Sequence, residues 1–291
     1  AQSKSSSNAS DLDVLRQNTT KNSTEKLSSH LCSWGKCGLF ACTFESHLSI
    51  FSNDINGCLS PMFMFSPFIN PDKNKMTNQK NTAITAIAWA DGCLQPSIAR
   101  PILAVASIKG KVVFYNFGTK ELIVSISMTE PIISMRWSSF KSNRIYLGSN
   151  NGHFYICELN NKCLQIKETL NFCLFNSENG EYIMKPIDFI IEDDVDGSHV
   201  VVASKDSSVG IVNNLNEKKQ SKIQVFAEIP FNSCLNLPNT LSNSISFFEF
   251  YPNNQDFILI ATNQSTFLFS TKKGVLIPFI PVRNCKFISL Q

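Results

Sequence analysis

The stretch from Asn81 to Glu158 constrains this chain most, because it carries the same series of short apolar runs twice, end to end. Ile84-Thr-Ala-Ile-Ala-Trp89 is followed by Ile102-Leu-Ala-Val-Ala-Ser107, Gly110-Lys-Val-Val-Phe-Tyr-Asn116 and Glu121-Leu-Ile-Val-Ser-Ile-Ser-Met128. The order then restarts with Ile132-Ile-Ser-Met-Arg-Trp137, Arg144-Ile-Tyr-Leu-Gly-Ser149 and Gly152-His-Phe-Tyr-Ile-Cys-Glu158. Short apolar or alternating runs bounded by turn residues read as buried or half-buried strands, and a Gly ahead of each third run marks a tight turn. Trp89 and Trp137 close the first run of each copy, 48 residues apart. A meander of four short strands cannot cover both faces of its own sheet, so the repeat predicts sheets stacked on one another.

Three further copies flank this pair. Leu31-Cys-Ser-Trp34, Gly38-Leu-Phe-Ala-Cys42 and His47-Leu-Ser-Ile-Phe51 form the first. Pro186–Ile191, His199–Ser204, Ser208–Asn213 and Lys222–Ile229 form the fourth; Ser244–Tyr251, Phe257–Thr262, Thr266–Ser270 and Val275–Ile280 form the fifth. Trp34 and Phe250 stand where Trp89 and Trp137 stand in their copies. Radial stacking of such units gives an all-β fold, a WD-repeat β-propeller. It is expected to be partial, with five blades countable of about seven in a common closed ring. The expected organisation is a polar tail over 1–29 and a propeller over 30–291, with blades near 30–80, 81–128, 129–180, 181–240 and 241–291. The tail is rich in Ser, Asn, Thr and Lys and too poor in apolar groups to offset the entropy of ordering. Because the chain begins with Ala, it is expected to be a piece of a longer polypeptide. Met62–Asn81 and Asp91–Arg100 are expected as loops, Leu164–Phe175 as the outer run of the third copy, and Cys285–Gln291 as the opening of another strand. Trp34, Trp89, Tyr115, Trp137 and Phe250 are expected in the blade core. Where a typical third strand ends in Trp-Asp, this chain has Phe51-Ser52, Tyr115-Asn116, Cys157-Glu158, Val212-Asn213 and Phe269-Ser270, so the associated hydrogen-bond networks should be partial.

Composition then excludes several functions. With 26 basic and 23 acidic residues the net charge is +3, and no run of like charges makes an electrostatic case for nucleic acid. No apolar run approaches the roughly 18 residues of a membrane-spanning helix, so membrane association is expected only indirectly, through a complex. The 10 cysteines lie mostly within strand patterns and are expected reduced, in a cytoplasmic protein. Cys32, Cys37, Cys42 and Cys58, with His30 and His47 nearby, lack the tight pairs of a structural zinc site and are expected to be core packing. Glu192-Asp-Asp-Val-Asp-Gly197 begins like a calcium loop, but its twelfth position is Ala203 where a carboxylate is required, so it is expected as a solvated hairpin loop. No Gly-x-Ser-x-Gly, phosphate-binding Gly loop or His-Glu-x-x-His occurs, and the four histidines are scattered. No catalytic, cofactor or metal site is expected.

What remains is surface. Turns between second and third strands gather on one rim of a propeller, and here they carry Lys109, Asn150, Asn151, Asp206 and Asn263, the candidate partner-binding residues. The same residues also suit tight turns, which is the plainer explanation of Asn150-Asn-Gly152.

Trp34-Gly35, Gly38-Leu-Phe-Ala41 and Leu48-Ser-Ile-Phe51 resemble the opening of the WD-repeat-containing protein 11 family. Ala86-Ile-Ala-Trp89-Ala90, the loop after it and Leu103–Phe114 are similar to that family's second blade, and Phe247-Phe-Glu-Phe-Tyr-Pro252 to a later one. The resemblance covers most of 31–272 and implies a non-enzymatic scaffold in a complex that captures vesicles at the trans-Golgi, with other protein subunits as partners. The family's second propeller and helical C-terminal part have no counterpart in this sequence. Elongator subunit 2 begins its propeller comparably, so a nuclear or transcription-linked complex, Elongator-like or polymerase III factor-like, is the alternative.

Overall fold

The computed structural model describes residues 31–280 except 36–37, 45, 54–56, 69–81, 91–100, 120, 161–162, 193–196, 198, 214, 216–221, 227–243, 252–253 and 263–264. The tail, the Asp91–Arg100 loop and the strand expected after Cys285 lie outside the described residues. Every regular element among those described is a strand. Blade 1 is β1 (Cys32–Trp34), β2 (Leu39–Phe44), β3 (His47–Asn53) and β4 (Leu59–Phe65). Blade 2 is β5 (Ile84–Ala90), β6 (Ile102–Ser107), β7 (Lys111–Asn116) and β8 (Glu121–Ser127). Blade 3 is β9 (Ile132–Trp137), β10 (Arg144–Ser149), β11 (His153–Asn160) and β12 (Cys163–Asn171). A hairpin of β13 (Cys173–Asn176) and β14 (Glu181–Met184) follows. Blade 4 is β15 (Phe189–Glu192), β16 (Val200–Ala203), β17 (Val209–Asn213) and β18 (Lys222–Phe226). Blade 5 is β19 (Ile245–Tyr251), β20 (Asn254–Thr262), β21 (Thr266–Ser270) and β22 (Val275–Ile280). Each blade is an antiparallel four-stranded meander in sequence order, five blades of a partial WD-repeat propeller.

Two details differ from the sequence reading. Met62 and its neighbours, expected as the start of a loop, belong to β4, which is mostly exposed because it is the outer strand of its blade. The run Leu164–Phe175, expected as one outer strand, breaks at the fully buried Phe172, after which the chain turns into the β13–β14 hairpin. That hairpin pairs with itself and leaves the rings of Phe175 and Tyr182 tilted against each other, 5.3 Å apart and exposed.

The core lies between blades. One apolar cluster joins blades 1 and 2 through Ala41, Leu48 and Ile50 against Trp89, Leu103 and Val105. A second sets Ala88, Ala104 and Phe114 of blade 2 against Trp137, Ile145 and Leu147 of blade 3. A third joins blade 3 to blade 4 through Tyr146, Phe154, Val200 and Val202, and a fourth joins blade 4 to blade 5 through Val201, Ala203, Ile258 and Ile260. The alternation within each strand supplies this arrangement directly: odd side chains go to one neighbour, even ones to the other. Small residues on the forward face of blade 2 leave room for the large ones on the rear face of blade 3. Backbone and hydroxyl bonds reinforce the stack: Ile187 N–H donates to Ser149 O at 3.1 Å, and Ile245 N–H to Lys205 O at 3.0 Å. Gly148 sits so close to blade 4 that a Cβ there would lie 2.6 Å from Ile187 Cγ2.

Candidate interaction surface

One position in each blade fixes how the blade meets its predecessor. Trp34, Trp89, Trp137, Glu192 and Phe250 all end or nearly end the innermost strand, and each pairs with the second-strand residue four before the rim turn: Phe40, Leu103, Ile145, Val200 and Ile258. In blades 2 and 3 the indole is buried and its N–H donates to a backbone carbonyl of the preceding innermost strand. Trp89 Nε1 reaches Ser33 O at 3.1 Å and Trp137 Nε1 reaches Ala88 O at 3.2 Å. Those acceptors, Ser33 and Ala88, immediately precede Trp34 and Trp89, so the same bond recurs one blade on. Phe250 is buried against the edge of His199, 6.3 Å away, with no polar link.

Blade 4 reverses the polarity. Glu192 fills the slot, 1% exposed, and its carboxylate accepts from Ser138 Oγ, from the Ser139 N–H and from Tyr146 Oη at 2.8 Å. All three donors belong to blade 3 or the turn after β9. This corrects the expectation of a solvated loop at Glu192: a buried carboxylate is stable there because three donors satisfy it. Burial, with the Glu192 charge and hydrogen bond, pushes the Tyr146 phenol well above the usual tyrosine range.

Trp34 also departs from expectation. It is 55% exposed, and its ring meets Phe40 of its own sheet, 4.8 Å away, which in turn meets Phe51. The reason is its place at the start of the stack: among the described residues no blade lies against the face that carries it. Trp89, Trp137 and Phe250 are buried, while Tyr115 is partly exposed with its hydroxyl donating to Pro67 O at 2.8 Å.

The rim turns of blades 2 to 5 are built alike. Each opens on a hydroxyl residue, and in three of them its oxygen accepts a backbone N–H across the turn: Ser107 from Lys111, Ser149 from Asn151 and His153, Thr262 from Ser265. Gly110 and Gly152 take φ of 77° and 87°, and at the matching place in blade 4 Ser207 takes 82°. Lys109, Asn150, Asn151 and Asp206 are exposed on these turns; Asn263 lies outside the described residues. Asp206 is not free: Lys185 Nζ is 2.7 Å away and Ser208 donates to it through N–H and Oγ, and the Lys185 and Ser208 bonds hold its carboxyl below the usual range against the opposing effect of burial. Between Met128 and blade 3, Glu130 is nearly buried and accepts from Tyr155 Oη and lies 2.7 Å from His153 Nδ1. Sequence reading missed this network, because the acid stands in the connection before β9 rather than after the third strand.

The innermost strands line an open pocket of about 200 Å³ touched by Cys32, Ala86, Met135, Ile190 and Phe248, one from each blade. Its charged members are engaged. Glu249 bonds Arg136 of blade 3 at 3.0 Å, and Asp188 accepts the Lys205 N–H at 2.8 Å. Among the described residues no three His, Cys, Asp or Glu side chains group as metal ligands. The cysteines at the start of the chain are not core packing as a set: Cys32 and Cys58 are exposed, Cys42 is half-buried, and Cys37 lies outside the described residues. No helix among the described residues is long and apolar enough to cross a membrane.

No known protein family and no curated protein matches the sequence. Many solved chains share the fold; one, in the crystal structure of the mitotic checkpoint complex, superposes with a TM-score of 0.54 at 12% identity over 84% of this chain. The match spans 61% of that chain's length.

Proposed function

We propose that this chain is a non-enzymatic protein-interaction scaffold, and that it serves in a vesicle-tethering complex at the trans-Golgi. The observation that supports the scaffold reading is a stack of sheets packed on one another at each successive interface, which holds exposed turns on one rim and, among the described residues, an exposed Trp34 on blade 1. A rigid frame carrying variable turns binds other proteins without prior ordering, which lowers the entropic cost of association. The trafficking assignment rests on the resemblance of the first two blades to the WD-repeat-containing protein 11 family. Its test is affinity purification of the tagged full-length parent protein from its own cells, with mass spectrometry of what accompanies it. Golgi tethering factors and vesicle coat components are expected. Recovery of Elongator or transcription subunits instead would overturn the trafficking assignment and favour a nuclear complex.

A further inference from the structure

Cys32 and Cys42 face each other on β1 and β2 with their sulfurs 3.6 Å apart. Their register is the informative part. Thr43 N–H donates to Leu31 O and Gly35 N–H to Leu39 O, the bonds that flank the 32/42 and 34/40 pairs rather than joining them. Both are therefore non-hydrogen-bonded pairs of an antiparallel ladder, the positions where Cα atoms approach to about 4.5 Å and side chains lie closest. That separation falls within the window a disulfide tolerates, about 4.4–6.8 Å. Cys32 is exposed, so a small oxidant reaches it, and the pair lies on the same uncovered face of blade 1 as Trp34.

We propose that Cys32 and Cys42 are a thiol–disulfide modification site, closed by a low-molecular-weight disulfide such as oxidised glutathione. A thiolate at Cys32 attacks one glutathione sulfur, forming a mixed disulfide and releasing the first glutathione thiolate. The Cys42 thiol then loses its proton and attacks the Cys32 sulfur, expelling the second glutathione. The two protein thiols lose two electrons and two protons; the oxidant becomes two glutathione thiols. Partial burial and the adjacent Cys42 push the Cys32 thiol up to about 11, so little thiolate exists at neutral pH and closure is slow. The site thus follows the steady redox poise of its surroundings rather than brief oxidative bursts. Closure ties the three-residue innermost strand of blade 1 to its neighbour. None of this depends on the trafficking assignment.

The test uses the whole chain, equilibrated with graded ratios of oxidised to reduced glutathione, quenched by alkylation and mapped by peptide mass. A cross-linked peptide joining Cys32 to Cys42 is expected, with alkylation of both falling about tenfold or more across the titration. In Cys42→Ser, Cys32 should instead accumulate as a lasting mixed disulfide with glutathione, and Cys32→Ser should abolish the cross-link in the same way without touching a half-buried position. The proposal is overturned if both thiols stay alkylatable at ratios that convert the exposed Cys58 and Cys163 to mixed disulfides. A persistent glutathione adduct on Cys32 in the unsubstituted chain would overturn it equally.

Discussion

The interface between blades 2 and 3 and that between blades 3 and 4 solve one geometric problem with opposite chemistry. At the first, Trp137 donates to a backbone carbonyl of the blade before it; at the second, Glu192 in the same slot accepts three bonds from the blade before it. What the repeat conserves within this chain is therefore a position and a direction of contact, with the residue type free to change where its partners change with it. Ser138 and Tyr146 are those changed partners. Blade 1 supplies the third case, a Trp in the same slot with nothing described before it.

Substitutions should separate these cases. Trp137→Ala removes a buried indole from the blade 2–3 core and is expected to cost about 3–5 kcal/mol in chemical denaturation. Glu192→Ala leaves three donors without an acceptor and should cost about 3 kcal/mol, with Glu192→Gln milder because the amide oxygen still accepts. An equal loss from Gln and Ala would mean that the charge, rather than the acceptor geometry, holds blade 4. The rim turns allow a finer comparison. A Cβ at Gly110 would lie 2.6 Å from Met128 O, so Gly110→Ala should destabilise by about 1–3 kcal/mol. Ser207 holds a comparable φ with a side chain, so Ser207→Gly should stabilise by up to about 1 kcal/mol.

Alkali should reveal the second interface in another way. The Tyr146 phenol is raised above its unfolded value, so above the usual tyrosine pKa near 10 the unfolded chain loses a proton that the folded chain keeps. Stability is then full below that pH and falls by about 1.4 kcal/mol per unit as pH rises, until the folded phenol also ionises. Tyr146→Phe should remove this one-proton contribution from the slope in pH-dependent denaturation, leaving that of Tyr155, whose phenol is raised as well. A slope unchanged by that substitution would place the alkaline sensitivity elsewhere.

Much of the fold was legible because it rests on local patterns. The alternation and turn signals placed the three inner strands of all five blades, and Trp89 and Trp137 marked the slot by their spacing. Glu192 was not legible, because a carboxylate in an apolar slot makes sense only beside Ser138 and Tyr146, some 46–54 residues earlier in sequence. Trp34 misled for the converse reason: its pattern matches the other tryptophans, but burial depends on a neighbour and not on the residue itself. The β13–β14 hairpin was hidden because its first strand continues the apolar run of β12. Of the candidate rim, the turns could be read from Gly and Asn, whereas the engagement of Asp206 by Lys185 could not, since Lys185 belongs to a connection outside the repeat.

One slot joins each blade to its predecessor and, among the described residues, stands uncovered in blade 1; the chain's three tryptophans report on it. Incorporating 5-fluorotryptophan and recording fluorine NMR with a soluble paramagnetic agent reads each indole separately. One strongly broadened resonance, lost in Trp34→Phe, and two protected ones that persist are expected. Three equally protected resonances, or loss of a protected line in Trp34→Phe, would contradict this.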